Sequence, residues 1–106
     1  MKTFILGQNI DQVLEMIPDK SIRVVRLGTT QVCVSRVAKD FFAFESNCPH
    51  QRAALNQGWV TVYGEVVCPL HEYRFDMKSG EIRAGSCGDL KTYKTKLTEE
   101  GLKIFI

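Results

Sequence analysis

The feature that most constrains this chain is a pair of short loops, each holding one cysteine and one histidine. The first loop is Cys48-Pro49-His50 and the second is Cys68-Pro69-Leu70-His71, and these are the only two histidines in the sequence. Thiolate and neutral imidazole both bind zinc and iron, so two of each in similar loops are typical of a metal site. We therefore expect the fold to bring the two loops together.

The four residues do not by themselves choose the metal. A tetrahedral zinc ion and an iron-sulfur cluster both accept two thiolates and two imidazoles. The single residue between Cys48 and His50 is a tight spacing for two ligands of one ion, because zinc sites usually separate their first pair by about two to four residues. With two adjacent irons, Cys48 and His50 need not bind the same ion. The spacing therefore favours a cluster but does not exclude a zinc site.

The size and charge of the chain exclude several classes of protein. Its 106 residues allow one compact domain and no second one. Hydrophobic residues make up 44% and charged residues 25%, as in ordinary soluble globular proteins. The net charge of +2 lies far below the dense basic character of most nucleic-acid binders, so no nucleic acid is expected as a partner.

The N-terminus and the cysteines indicate the cellular compartment. The first residues lack the pattern of a signal peptide, and no apolar run approaches the length of about 18 residues that a membrane span needs. Two of the four cysteines lie beside the histidines, which fits a metal site better than a disulfide framework. We expect a cytoplasmic protein without a membrane anchor.

The apolar pattern predicts a mostly β chain with one short helix. Apolar residues recur at helical spacing from Ile10 to Ile17, between a capping Asn9 and a terminating Pro18. Alternating or valine-rich runs predict strands at Thr3–Leu6, Ile22–Leu27, Val32–Val37, Phe41–Glu45, Thr95–Leu97 and Leu102–Ile106, with a turn over residues 28–31. The simplest arrangement is an all-β antiparallel sandwich or small barrel with the metal-binding segment at one end.

The loops and their neighbours resemble the Rieske proteins, whose pattern is Cys-x-His, an intervening stretch and then Cys-x-x-His. Further matching positions are Asn47, Ala53, Leu55, Gly58, the run Glu72-Tyr73-Arg74-Phe75-Asp76, and Ser79-Gly80. The resemblance implies one 2Fe-2S cluster per chain. It also implies that Cys48 and Cys68 bind one iron while His50 and His71 bind the other.

The resemblance implies a single Rieske domain over residues 1–106. A cluster-binding subdomain would cover about 47–83, and a base subdomain with one short N-terminal helix would cover about 1–46 and 84–106. The length and strand order match stand-alone Rieske ferredoxins, which are electron carriers and not enzymes. Such a carrier takes one electron from a flavin- and NAD(P)H-dependent ferredoxin reductase and passes it to a terminal oxygenase, through transient contacts and as a monomer.

Two other functions remain open at this stage. One is a Rieske-like small subunit of a reductase such as nitrite reductase. The other is a structural zinc-binding interaction module without redox activity.

Several positions depart from the pattern of the family. Arg52 stands where a glycine usually lets the first loop bend, so a different loop shape is expected there. High-potential members have a disulfide at the positions of Ala53 and Leu70, and they place hydroxyl donors near the cluster, whereas this chain has Tyr73 and Phe75 at the matching positions. Fewer donors to the sulfurs predict a low reduction potential.

Three remaining residues carry weaker expectations. Cys33, among valines in a predicted strand, is expected to be a small buried hydrophobe. Trp59 is expected to pack in the core or between subdomains. Cys87 lies in a glycine-rich turn, and its spacing does not decide between a surface thiol, a disulfide with Cys33 and a neighbour of the cluster.

Overall fold

The computed structural model describes residues 2–49 and 52–106. Its elements, in chain order, are β1 (Thr3–Leu6), α1 (Ile10–Met16), β2 (Ile22–Leu27), β3 (Thr30–Val37), β4 (Asp40–Glu45), a 3-10 helix (Leu55–Gln57), β5 (Trp59–Val60), β6 (Glu65–Val67), β7 (Arg74–Asp76), β8 (Ile82–Ala84), β9 (Thr92–Thr98) and β10 (Gly101–Phe105). Within the described residues, no helix has the length and apolar character needed to cross a membrane.

The strands form two antiparallel sheets. The larger sheet has the order β1-β10-β9-β4-β3-β2, so the strands at the end of the chain join the first strand to the central hairpins. The smaller sheet, β5-β6-β7-β8, is a meander. The prediction of an all-β antiparallel fold with one short N-terminal helix is confirmed.

The larger sheet and α1 enclose the first of two apolar cores. Leu102 and Ile104 alternate along β10 with the less buried Lys103, as expected of a strand with one face on a core. The fully buried Val13 and nearly buried Ile17 bring α1 against this face. The other members of the core are Leu27, Val32, Val34 and Ala43.

The helix begins and ends as predicted. The side chain of Asn9 accepts a hydrogen bond from the backbone N–H of Gln12 at 2.8 Å, which satisfies one of the donors at the start of the helix. At the other end, the guanidinium of Arg36 donates to the carbonyls of Leu14 and Ile17 at 3.2 and 3.0 Å. Pro18 follows directly, so the helix stays short.

The second core joins the two sheets. Cys33 and Phe44 from the larger sheet pack in it with Val66 and Phe75 from the smaller one. The remaining members come mostly from the loops and strand ends between the sheets: Cys48, Leu55, Val60, Cys68, Met77 and Leu90. The two metal-loop cysteines are therefore part of the apolar interior.

Two details differ from the sequence predictions. The turn between β2 and β3 is shorter than expected, because Gly28 takes a left-handed φ of 65° and β3 already begins at Thr30. The expectation that Trp59 packs in the core is wrong, since its side chain is 46% exposed. Successive strand residues point to opposite faces, and Val60 occupies the inward position.

Candidate metal centre

The first loop folds back onto its cysteine. The backbone N–H of Cys48 donates to the carbonyl of Ala53 at 2.8 Å, and the N–H of Arg52 donates to the carbonyl of Cys48 at 2.7 Å. The side-chain amide of Asn47 donates to the carbonyl of Arg52 at 2.9 Å, and a β-bridge joins Asn47 to Ala54. These bonds hold Cys48 in place at the end of β4.

Arg52 takes a backbone conformation that suits glycine. Its φ is 59°, in the left-handed region where a Cβ atom is costly. The loop therefore bends at this position even though an arginine occupies it.

The second loop connects β6 to β7 and closes in a similar way. The N–H of Cys68 donates to the carbonyl of Tyr73 at 2.8 Å. His71 and Glu72 both have left-handed backbones, with φ of 65° and 53°. The backbone N–H of Leu70 donates to the sulfur of Cys68. Such a donor stabilises negative charge on a cysteine sulfur.

A glycine from another segment supports this second loop. Gly58 packs so closely against the chain that a Cβ atom here would overlap the carbonyl oxygen of Val67 and lie 3.2 Å from the ring of Pro69. Val67 and Pro69 are the two neighbours of Cys68. Only glycine allows this approach, which explains its place in the matching pattern.

The two cysteines come together in the interior. Cys48 and Cys68 are both fully buried, and their sulfurs are in hydrogen-bond contact. Burial raises the pKa of Cys68, the nearby Cys48 raises it further, and the Leu70 N–H opposes these effects. Two adjacent buried thiolates repel each other, so a cation is needed to hold both in the charged form. The donor pair therefore fits a thiolate-bound iron.

The histidines are placed differently. His71 is exposed at the tip of the second loop. His50, predicted as the fourth ligand, lies outside the described residues. Within residues 2–49 and 52–106, no three His, Cys, Asp or Glu side chains group together as ligands of one ion.

The other two cysteines have different surroundings. Cys33 is fully buried in β3, and burial raises its pKa to about 12, which confirms it as a small core residue. Cys87 is half-buried and packs against the core that contains Cys48 and Cys68. Sequence spacing could not find this neighbour, because a loop from the far side of the smaller sheet brings it there.

The sequence also predicted that this chain lacks the disulfide and one of the hydroxyl groups that high-potential members have near the cluster. No disulfide joins the four cysteines, all of which lie in the described residues. Phe75 is fully buried and carries no hydroxyl group. The Leu70 N–H remains as a donor to Cys68.

Comparisons with known proteins agree with this geometry. The family model described as the Rieske [2Fe-2S] domain matches residues 8–94. The ferredoxin component of the naphthalene 1,2-dioxygenase system of Pseudomonas aeruginosa is 30% identical over 99 residues, covering 92% of each chain.

Solved structures share the fold. The ferredoxin of carbazole 1,9a-dioxygenase from Nocardioides aromaticivorans superposes with a TM-score of 0.84 at 20% identity, covering 99% of this chain and 98% of that one. A chain from a complex of reduced oxygenase and oxidised ferredoxin in carbazole 1,9a-dioxygenase superposes with a TM-score of 0.81 at 23% identity, covering 97% and 92%. In sequence and in fold, the chain belongs to the family of Rieske [2Fe-2S] domains.

Proposed function

We propose that this protein is a soluble one-electron carrier whose Rieske-type 2Fe-2S cluster is held by Cys48, His50, Cys68 and His71. The observation that carries the proposal is the pair of contacting, buried cysteines beside an exposed histidine loop. When bound, the cluster supplies a site that gains and loses one electron.

The ligand residues have separate roles in this proposal. Cys48 and Cys68 hold one iron inside the core, where apolar neighbours exclude water. His50 and His71 hold the other iron, and the exposed position of His71 gives the electron a short path to a partner. The division into a base of 1–46 and 84–106 and a cluster-binding part of 47–83 stays a prediction.

The surroundings of the sulfurs support a low reduction potential. Hydrogen bonds to the sulfurs stabilise the added negative charge of the reduced state and raise the potential. Phe75 offers no hydroxyl donor, and no disulfide links the loops at Ala53 and Leu70. We expect a value toward the lower end of the span of about −150 to +300 mV for Rieske centres.

The proposed partners are a flavin- and NAD(P)H-dependent ferredoxin reductase and a terminal oxygenase. The relative from Pseudomonas aeruginosa is named as the ferredoxin component of a dioxygenase system, and a structural neighbour comes from a ferredoxin–oxygenase complex. Exposed apolar Pro69 and Leu70 next to His71 suit the small transient contacts of redox partners. A cytoplasmic monomer remains our expectation.

The role of a reductase small subunit is the weaker alternative. The relatives reported above are ferredoxin components, and the chain keeps all four candidate ligands. A structural zinc module is contradicted by the family membership.

The test is the spectrum of the purified protein before and after reduction with dithionite. We expect a red-brown protein with two irons and two sulfides per chain, and an electron paramagnetic resonance signal with the low average g value that imidazole ligation gives. Cys68→Ser and His71→Ser should abolish the signal, whereas the control Cys87→Ser should keep it. A colourless protein with one zinc and no iron would overturn the proposal.

A further inference from the structure

A cavity of about 740 Å³ lies where the pairing of two strands of the larger sheet ends. β4 and β9 pair with each other at residues 43–44 and 92–93. Residues 40–42 of β4 and the later part of β9 line the cavity, together with residues 77–78 from the turn after β7. In the described part of the chain, no candidate cluster ligand belongs to this lining, so the proposed function leaves the cavity unexplained.

Apolar side chains form the walls of the cavity, and both cores of the molecule hold them in place. Phe41 and Tyr93 pack against the core of the larger sheet, whereas Phe42 packs against the core that joins the two sheets. Met77, which also lines the cavity, is a buried member of that second core. The three rings are half-buried, so the fold fixes their positions and still leaves part of their surface open.

Hydrogen bonds fix the segments that meet at the cavity. The hydroxyl of Thr95 donates to the carbonyl of Phe41 at 3.0 Å and so links β9 to β4 within the lining. In the turn after β7, the backbone N–H of Lys78 donates to the carboxylate of Asp76 at 2.9 Å. The cavity is therefore largely pre-formed, as the sites of small ligands usually are.

Three exposed lysines from separate segments meet at this cavity. Lys39 precedes β4, Lys78 lies in the turn after β7, and Lys94 belongs to β9. Asp40 is the one acidic residue of the lining that the structure describes. The ion pairs among the described residues join other side chains and involve none of these three lysines. The lining therefore brings three positive charges together with one negative charge, which favours an anion.

The combination of rings and lysines indicates the chemical class of the ligand. Aromatic side chains favour a planar apolar body, because rings stack or pack edge to face with one another. Lysine ammonium groups donate charge-assisted hydrogen bonds to a carboxylate. The volume of the cavity lies within the range of about 300–1,000 Å³ that is usual for small-ligand sites. An extended peptide fits less well, because β4 and β9 are internal strands of the sheet and offer it no free edge.

We propose that this cavity binds a small aromatic carboxylate, with its ring against the aromatic walls and its carboxylate held by Lys78 and Lys94. The inference goes beyond electron transfer, since the site requires neither the cluster nor a redox partner. A ligand in this position contacts β4 and β9 of the larger sheet and the turn after β7 of the smaller one. It therefore stabilises the native arrangement of the two sheets, because it binds the folded chain only.

The experiment measures the binding of 2-naphthoate to the purified holo-protein by isothermal titration calorimetry. The matched ligand is 2-naphthamide, which has the same ring system and a similar shape but no charge. We expect one naphthoate per chain, and an affinity for naphthamide that is lower by about tenfold. Added salt should weaken the binding of naphthoate and leave that of naphthamide unchanged, because salt screens exposed charges.

Paired lysine variants locate the site. Lys78→Gln combined with Lys94→Gln removes two positive charges of the lining and should weaken naphthoate binding by about tenfold. Lys96→Gln combined with Lys103→Gln is the control, since it changes the net charge equally at two paired residues outside the lining. The control should bind naphthoate as the wild type does. The Rieske signal of each sample shows that the variants keep their fold.

Three results would each overturn the inference: no saturable binding of naphthoate, equal affinity for naphthamide, or equal losses in the two double variants. Tighter binding of an acidic peptide than of naphthoate through Lys78 and Lys94 would also overturn it, because the site would then belong to a partner protein. These outcomes are distinct from failure of the proposed function. The Rieske signal tests the cluster, whereas the calorimetric titration tests the cavity.

Discussion

The two ligand loops close in the same way although they share little sequence. In each, the N–H of the cysteine donates to the carbonyl five residues further on, Ala53 in the first loop and Tyr73 in the second. In each, the residue just before that carbonyl is left-handed, Arg52 in one loop and Glu72 in the other. The backbone bend is therefore a shared requirement, and side-chain identity at that position is not.

The loops differ in what supports them. The first is held from within by the side chain of Asn47, which donates to the carbonyl of Arg52 at 2.9 Å. The second has one more residue between its cysteine and its histidine, and it has an external support from Gly58. The second loop is therefore supported by a distant segment of the fold, which the hydrogen bond of Asn47 in the first loop does not require.

The largest expected effect comes from removing the external support of the second loop. Gly58→Ala places a methyl group on the carbonyl of Val67, so the segment before Cys68 must move. We expect the free energy of unfolding to fall by about 3 kcal/mol and the cluster to be lost faster, as measured by urea denaturation and by bleaching of the visible absorption.

Gly88→Ala is the matched control, since nothing lies within 4 Å of the added carbon. The free energy of unfolding of this variant should stay within about 1 kcal/mol of the wild-type value. Equal losses in the two variants would show that Gly58 does not support the loop.

The next effect concerns the turn after β7, the strand that leaves the second loop. The carboxylate of Asp76 accepts the N–H groups of Lys78 and Ser79, each at 2.9 Å, and pairs with Arg83 at 3.2 Å. Burial raises the pKa of Asp76, but the Ser79 and Lys78 N–H groups and the Arg83 guanidinium outweigh it, so the pKa lies below its ordinary value.

Because the folded-state pKa is lowered, this stabilisation is present above the unfolded pKa and is lost as pH falls through the folded value. Asp76→Ala should lower the free energy of unfolding by about 1.5 kcal/mol at pH 7. In urea melts, the difference in the free energy of unfolding between wild type and variant should become smaller below a pH of about 4. If that difference in the free energy of unfolding did not depend on pH, this role of the carboxylate would be contradicted.

A smaller effect is expected at the internal support of the first loop. Asn47→Ala removes the side-chain hydrogen bond to the carbonyl of Arg52 and should lower the free energy of unfolding by about 1 kcal/mol. The exposed Asn56 is the control, and its alanine variant should behave as wild type in the same melts. If Asn47→Ala had no effect, the side chain of Asn47 would not support the first loop.

The smallest effect tests whether the two bends are equivalent. Arg52→Gly and Glu72→Gly remove the backbone strain of a left-handed residue that carries a Cβ atom. Glycine also has a larger entropic cost of folding, so we expect each variant to raise the free energy of unfolding by a net amount of about 0.5 kcal/mol. Thermal melts of the two variants should shift in the same direction. Opposite shifts would show that the arginine or the glutamate makes a contact that the backbone comparison does not capture.

Local patterns predicted much of the fold. Asn9 and Pro18 marked the helix because capping and termination depend on neighbouring residues only. β9 was predicted too short, since its full length from Thr92 to Thr98 is set by pairing with β10. Trp59 was misplaced because hydrophobicity alone does not say which face of a two-residue strand meets the core.

The metal centre was predictable in its ligand types but not in its surroundings. The spacing of Cys48 and Cys68 indicated a shared site, and the structure places their sulfurs together. The conformation of Arg52 and the approach of Cys87 depend on backbone dihedral angles and on packing between distant segments. Neither leaves a periodic or compositional signal in the sequence.

The core shared by the two sheets has a consequence for protein engineering. Phe44 of the larger sheet and Leu90 beyond the smaller one cover the same interior as the cysteines. A chimaera that transplants only residues 47–83 onto another scaffold would leave out Cys33, Phe44 and Leu90 and would expose part of that interior to water. For a graft to keep the cluster, the recipient scaffold must therefore supply matching apolar residues that pack against Cys48 and Cys68.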